Sequence, residues 1–351
     1  MSTSGPRFVV IGENIHATRV LLKKNERIAL NEAGEEGIVF TDSEGNASHL
    51  RISEKEKSSQ AYAEGRIKHV RLAVALAMAE DEPDRSVALA YLRSLASRQV
   101  RAGADFLDVN VDEFSNKPAE QIEAMRWLVG MLAPEVDIPL SIDSSNLETI
   151  SAGVAGAAEA AGSDVGPPML NSASLERIEA LEVAARLEGP VVVTAAGESG
   201  MPTNAEERVS NASRMIEASL AAGIPLERTF LDPLVFPIAV NSEYGQHCLD
   251  AIAEVRRRFG TEIHITGGMS NVSFGLPNRR LLNDAFLALA IEAGADSGII
   301  DPTAVSLERA RSFDRDSRPF QLALDVLTGA DSDCRIYMKA HRAGELVSSN
   351  S

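Results

Sequence analysis

A (β/α)8 barrel of the α/β class is the fold the sequence predicts, on three observations. Short apolar runs recur eight times along the 351 residues, each bounded by turn or polar residues, as buried parallel strands are. Longer stretches with helical periodicity lie between most of them. One run after another ends in Asp or Asn, at what would be the C-terminal face of a barrel. A doubly wound open sheet fits the same alternation, because a single sequence does not show closure.

The first strand reads RFVVIGEN near 7–14, and the next three read ADFLDVNV near 104–111, IPLSIDSS near 138–145 and PPMLNSAS near 167–174. The second half repeats the habit with GPVVVTAA near 189–196, TFLDPLVF near 229–236, EIHITGGM near 262–269 and DSGIIDP near 296–302. PAEQIEAMRWLVGML, SLERIEALEVAARL, NASRMIEASLAAG and LLNDAFLALAIEAG supply helices between them. Gly223 and Gly294 follow two of these as helix C-caps do. The first unit is irregular. IVFTDSEGNASHLRI, 38–52, alternates around a turn-rich centre and reads as a β-hairpin, followed by helical stretches near 54–80 and 83–102. Residues 20–68 are therefore expected to be an insertion after strand one, on the face where barrel sites form. The whole chain, 1–351, reads as one domain whose polar tail after about 325 is expected to fray.

With 44% hydrophobic and 24% charged residues the chain has the balance of a soluble globular protein. Its net charge of -17 argues against nucleic acid and against an anionic membrane surface as partners. Two cysteines, Cys248 and Cys334, exclude a disulfide scaffold and a Cys-rich metal site, and suit a reducing compartment. No run is long enough to span a bilayer, and Met1 to Arg7 does not read as a signal peptide, so a cytoplasmic protein is expected.

The strand-end residues are Glu13 and Asn14, Asp108 and Asn110, Asp143, Asn171, Asp232, the Gly267-Gly268-Met269-Ser270-Asn271 turn, and Asp301. Each alone could cap a turn or helix. Together in a closed barrel they would converge. The set is rich in Asp and Asn and poor in His and Lys, which does not suit a hydrolytic metal site, and no metal is expected in this chain. His264 reads as a packed strand residue, and His16 follows strand one at the expected pocket mouth. Ala196-Gly197-Glu198-Ser199-Gly200 has Glu where a nucleophile elbow needs Ser, and is set aside. A heterocycle with several N–H donors and ring acceptors fits better, since carboxylates accept paired donors and Asn both donates and accepts. A pterin has such an edge.

Six stretches carry a family resemblance: VVIGENIH, RAGADFLDVNVDE, IPLSIDSSN, MLNSAS, FLDPLVFP and GGMSNVSFGLPNR. The chain resembles the pterin-binding methyltransferases that use methyltetrahydrofolate and a corrinoid. These include the folate module of cobalamin-dependent methionine synthase and the methyltransferase serving the corrinoid iron–sulfur protein. The resemblance implies a dihydropteroate synthase-like TIM barrel in which Asp143, Asn171 and Asp232 hold the pterin ring. Asp108 and Asn110 would line the same pocket, joined by Glu13, Gly267 and Ser270. Asn271 would stand near the N5 nitrogen that carries the methyl group, as the catalytic residue. Arg279 would support the folate tail or the pocket wall, or make a salt bridge at the helix entry.

Tetrahydrofolate or 5-methyltetrahydrofolate would be the substrate, and cobalamin or another corrinoid would ride on a separate, transiently bound protein. The transfer would belong to a split methionine synthase or to a demethylation pathway. A homodimer is expected by the same resemblance. A dihydropteroate synthase-like enzyme and a non-catalytic folate-binding protein are the competing readings. The first lacks its Lys and Ser-Arg motif here, and the second would not need Asn271 in its full motif. One departure stands out: the family's first strand reads Gly-Glu-Arg-x-Asn, whereas Gly12-Glu13-Asn14-Ile15-His16 occurs here.

Overall fold

The computed structural model describes residues 7–80, 83–160, 165–198 and 200–346. The start of the N-terminal stretch expected to carry no signal peptide, the end of the tail expected to fray, and Ser199 of the elbow-like run lie outside the described residues.

Eight strands form one sheet: β1 (Val9–His16), β2 (Phe106–Asn110), β3 (Leu140–Asp143), β4 (Met169–Ala173), β5 (Val191–Thr194), β6 (Thr229–Asp232), β7 (His264–Ile265) and β8 (Ser297–Ile300). Their order across the sheet is β7-β6-β5-β4-β3-β2-β1-β8, so each strand pairs with its neighbour in sequence and β8 returns beside β1. The two ends of the ladder meet through the parallel bridge Gly268–Ile299 and the Ile299 N–H donated to the Gly267 carbonyl at 2.9 Å. The sheet is thus nearly closed as a barrel, the (β/α)8 class read from the eight runs. Val/Ile/Leu-rich strands make this possible, because a parallel sheet covered on both faces buries every position: Val191, Val192 and Val193 are all fully buried.

By its contacts the chain falls into two compact units, Gly12–Asn171 and the segments on either side of it. In Gly12–Asn171, the insertion carries two small sheets. Strands 28–30, 36–41 and 47–51 form an antiparallel three-stranded sheet that contains the expected hairpin, and strand 20–22 pairs with 66–68. The stretch near 54–80, expected to be helical throughout, is not. Ser53 and Ser59 cap two separate short helices, 54–57 and 60–63, and Gly65 at φ 80° turns the chain into a strand before helix His69–Met78 begins. Helix Arg85–Arg101 follows as expected. Pro118 opens the next helix, where its missing N–H costs nothing, and the Asn146 side chain accepts the Glu148 and Thr149 N–H groups to start helix Leu147–Glu159.

In the other unit, helices 180–187, 205–221, 244–259 and 279–293 follow β4 to β7. The tail overturns the expectation of fraying as far as it is described. Helices 318–327 and 335–342 form, and Tyr337 is fully buried with its hydroxyl donating to the Pro277 carbonyl at 3.2 Å. Both Asp331 carboxylate oxygens accept from the last helix, at the N–H groups of Ile336 and Tyr337, 2.9 and 2.8 Å. A few well-placed apolar residues anchor a segment whose composition is otherwise polar. Among the described residues no helix is long and apolar enough to cross a membrane.

Candidate active site

Within Gly12–Asn171, parallel register aligns Asn110 with Asp143 and Asp143 with Asn171 across β2, β3 and β4. Alternation along β2 puts Asp108 and Asn110 on the same face. The Asn110 amide donates to Asp143 Oδ2 at 2.9 Å, while its Oδ1 accepts the Asp112 N–H at 2.9 Å, which fixes the orientation of the amide. The Asn171 amide donates to Asp108 Oδ1 at 3.1 Å. His16 Nε2 lies 2.7 Å from Asp108 Oδ2. Asp108 is fully buried and has both oxygens taken by protein groups. Asp143 differs: Asn110 is its one side-chain or backbone donor among the described residues, and its second oxygen is not sealed in.

Burial and the Asp108 charge push the Asp143 carboxyl up to about 7, against the opposing pull of His16 and the Asn110 hydrogen bond. Burial alone would lower the His16 pKa, but the Asp108 hydrogen bond and the charges of Asp108, Asp143 and Glu13 outweigh it and raise the value. Glu13 pairs with Arg19 at 2.8 Å. A Cβ on Gly12 would stand 2.6 Å from Oε1 of the buried Gln99, so a larger residue there would push that side chain off the Asn14 N–H it accepts at 3.0 Å.

In the other unit, Asp232 ends β6 and accepts the Leu234 N–H through Oδ1 at 2.7 Å, and among the described residues Oδ2 has no protein donor. Leu234 has φ 69°, a left-handed conformation that costs a leucine energy and is held by its surroundings. Its carbonyl faces the fully buried Arg208, whose guanidinium also lies over the Phe236 ring at 4.8 Å. Burial lifts the Asp232 carboxyl to about 6, with the Leu234 hydrogen bond and the Arg208 charge pulling the other way. Gly267, at φ 150°, passes so close that a Cβ would come within 3.1 Å of Asp232 Oδ1. Asn271 sits in a 3-10 turn, Met269–Ser273, and its amide lies where a Cβ on Gly268 would be, 2.7 Å from that position. Arg279 braces this turn: it donates to the Ser270 carbonyl at 2.9 Å and the Ser273 hydroxyl at 3.0 Å, and packs on Phe274.

Residues 85–301 match the model of a family described as pterin binding enzyme. The chain belongs to the pterin-binding enzyme family. A methylcorrinoid:tetrahydrofolate methyltransferase of Eubacterium limosum is 29% identical over 262 residues, 73% of this chain and 89% of that protein. A methionine synthase of Mycobacterium leprae is 30% identical over 226 residues, 60% of this chain but 18% of its own length. Among solved structures, a dihydropteroate synthase of Xanthomonas albilineans in complex with 7,8-dihydropteroate aligns at 20% identity, over 64% of this chain and 83% of that one, with a TM-score of 0.49.

The strand ends singled out from the sequence divide into differently bonded groups, which their spacing did not announce. Asp108, expected to line the pocket, bonds two side chains, whereas among the described residues Asp143 and Asp232 each have a protein donor on one oxygen. His16 entered only as a mouth residue, and nothing in its spacing announced the bond to Asp108 across 92 residues. Asp301 takes the capping role open to any strand-end Asp, accepting the Thr303 N–H and hydroxyl. His264 stacks on Phe230 and bonds Asp296, in keeping with a packed residue. Cys248 is buried, which pushes its thiol up to about 12 and keeps it unreactive.

His16, Asp108 and Asp143 are the one group of metal-type donors brought close together among the described residues, with ligand atoms within 4.8 Å. The 2.7 Å between His16 and Asp108 is a hydrogen-bond distance. Two donors on one tetrahedral cation at about 2.1 Å each would stand about 3.4 Å apart.

Proposed function

We propose that this pterin-binding enzyme is a methyltransferase moving a methyl group between N5 of tetrahydrofolate and the cobalt of a corrinoid carried on a separate protein. The observation that carries the reading is Asp143. It is a buried-type carboxyl, oriented by Asn110 through one oxygen, with the other open to a ligand that brings N–H donors. The amidine-like edge of a pterin is such a ligand. Asn171, Asn110 and Asp232 complete the assignment to the ring, with Glu13, Gly267 and Ser270 as contributors to folate binding and Asp108 as their support. The E. limosum and M. leprae relatives, by name, agree with methyl transfer involving folate or methionine synthesis.

The corrinoid, when its carrier docks, supplies the nucleophilic cobalt. What falls to this chain is the other end of the bond. A methyl group on a tertiary amine departs poorly because its leaving group is a strong base, and a proton or strong hydrogen bond at N5 lowers that barrier. We assign this to Asn271, whose carbonyl oxygen accepts from a protonated N5 without bringing a charge of its own. Arg279 holds the turn that carries it. We take 1–351 as a single domain, since the eight-stranded ladder runs through both units, a homodimer on the resemblance alone, and the cytoplasm as its place on the sequence reading of cysteines and apolar runs. No metal in this chain enters the scheme.

The test is spectroscopic. The protein is mixed with methylcobalamin and tetrahydrofolate, and separately with cobalt(I) cobalamin and methyltetrahydrofolate, while cobalamin absorbance is followed. Turnover in either mixture is expected and would establish methyl transfer. No absorbance change together with no folate binding refutes the reading.

A further inference from the structure

We infer that His16 is a positioning residue of the pterin site: its ring takes up Asp108 and offsets that residue's charge, so that Asp143 is the carboxylate left to serve the ligand. The inference rests on the pterin reading above and names a residue that the family pattern does not supply, since asparagine usually stands at this position of the first strand.

Asp108 has no exposure and two protein partners, His16 at 2.7 Å and Asn171 at 3.1 Å. It therefore holds no oxygen for a ligand, yet its charge remains next to Asp143, within 4.8 Å. Two carboxylates this close and this buried do not both ionise unless a positive charge joins them. Among the described residues the charged and titratable groups around the pair are few. Glu13 of the same strand as His16 is committed to Arg19. Asp112, beyond β2, is committed to the Ser144 hydroxyl and the Ser145 N–H. His16 is the cation-forming group placed against Asp108. With its proton the pair is neutral overall, and Asp143 can ionise and accept the paired N–H donors of a pterin. With a neutral side chain at position 16 the Asp108 charge stands alone, and Asp143 keeps its proton to higher pH.

The experiment measures tetrahydrofolate binding by calorimetry from pH 5.5 to 9 in the wild type, His16→Gln, His16→Asn and Asp143→Asn. Wild-type affinity is expected to rise as Asp143 ionises. In both His16 variants the midpoint should move up by about one pH unit, which is about a fivefold loss of affinity at pH 7 and about tenfold at pH 5.5, with recovery to within about twofold at pH 9. Asp143→Asn should bind weakly and without that pH dependence. A His16 variant that binds with the wild-type midpoint, or is weakened equally at every pH, overturns the inference and leaves the pterin reading intact. A wild type that binds no folate at any pH overturns both. The coupling is also read without ligand. The His16 ring C–H resonance, titrated by NMR, should lose its proton at lower pH in Asp143→Asn than in the wild type, and an unchanged titration overturns the inference.

Discussion

Gly268→Ala isolates the position of Asn271 from everything else at the site. Gly268 has φ -71° and ψ 77°, a conformation open to alanine, so the backbone carries no penalty. The nearest atoms that a Cβ there would meet all belong to the Asn271 amide, the closest at 2.7 Å. An ordinary contact needs about 3.5 Å, so the amide must shift by somewhat less than 1 Å or rotate away. Gly→Ala at a compatible position stabilises a chain by about 0.4–1 kcal/mol through its unfolded state, and displacing one side-chain end offsets part of that. Stability should therefore stay within about 1 kcal/mol of wild type. A reacting group misplaced by about 1 Å costs on the order of 100-fold in rate, or about 2.7 kcal/mol of barrier. Single-turnover cobalamin absorbance should fall by that factor, while folate affinity and the unfolding midpoint barely move. Wild-type turnover in a folded Gly268→Ala protein would refute the assignment of Asn271 as the group at N5. Equal loss of folate binding would make Asn271 a binding residue instead.

Three further predictions can be checked on the same protein. Asp143→Ala and Asp232→Ala should each weaken folate binding by about 1–3 kcal/mol, the cost of leaving buried donors unpaired, and unchanged affinity in both would refute the pocket assignment. Asp232 ionises near 6 rather than in the usual carboxylate range. Its charge therefore costs the fold nothing below about pH 4, progressively more up to pH 6, and a constant amount above; Asp232→Asn should gain of order 2–3 kcal/mol in denaturant stability at pH 7.5 and nothing at pH 3.5. Truncation after residue 325 removes the buried Tyr337 and should lower the unfolding temperature by several degrees, since a lost buried aromatic costs about 3–5 kcal/mol; an unchanged temperature would return the tail to a loose end.

The barrel was legible because its signals are local. Runs such as VVVT and FLDVN can be little else than buried parallel strands, and 118–132 announces its own helix with a proline at the start and an apolar stripe behind it. The broken helix at 54–80 was not legible, because Ser59 and Gly65 sit in a sequence whose periodicity continues through them. The tail failed on composition: its polar average hid Tyr337 and the Asp331 cap. At the site, strand-end position singled out the candidates, but the pairing that gives Asp108 to His16 and Asn171 joins three strands far apart in the chain. One segment at a time, Asp108 and Asp143 look alike, although one has both oxygens taken by side chains and the other, among the described residues, has only Asn110.

The shortness of β7 sets how the turn after it can behave. Only two residues long, it is finished by a side chain: Asp296 accepts the Ile265 N–H at 2.8 Å and holds His264 at 3.0 Å, with Arg256 against it at 3.1 Å. The main chain is tied to the ladder until the Gly268–Ile299 bridge and then passes into Met269–Ser273, where Arg279 takes over the hold. Asn271 thus rides on a short arm anchored at its root, like a key on a fixed hinge pin. Amide exchange should be slow at Ile265 and Ile299, whose N–H groups are held at the root of the arm, and loss of the Arg279 brace should loosen the arm without unpicking the ring of strands beneath it.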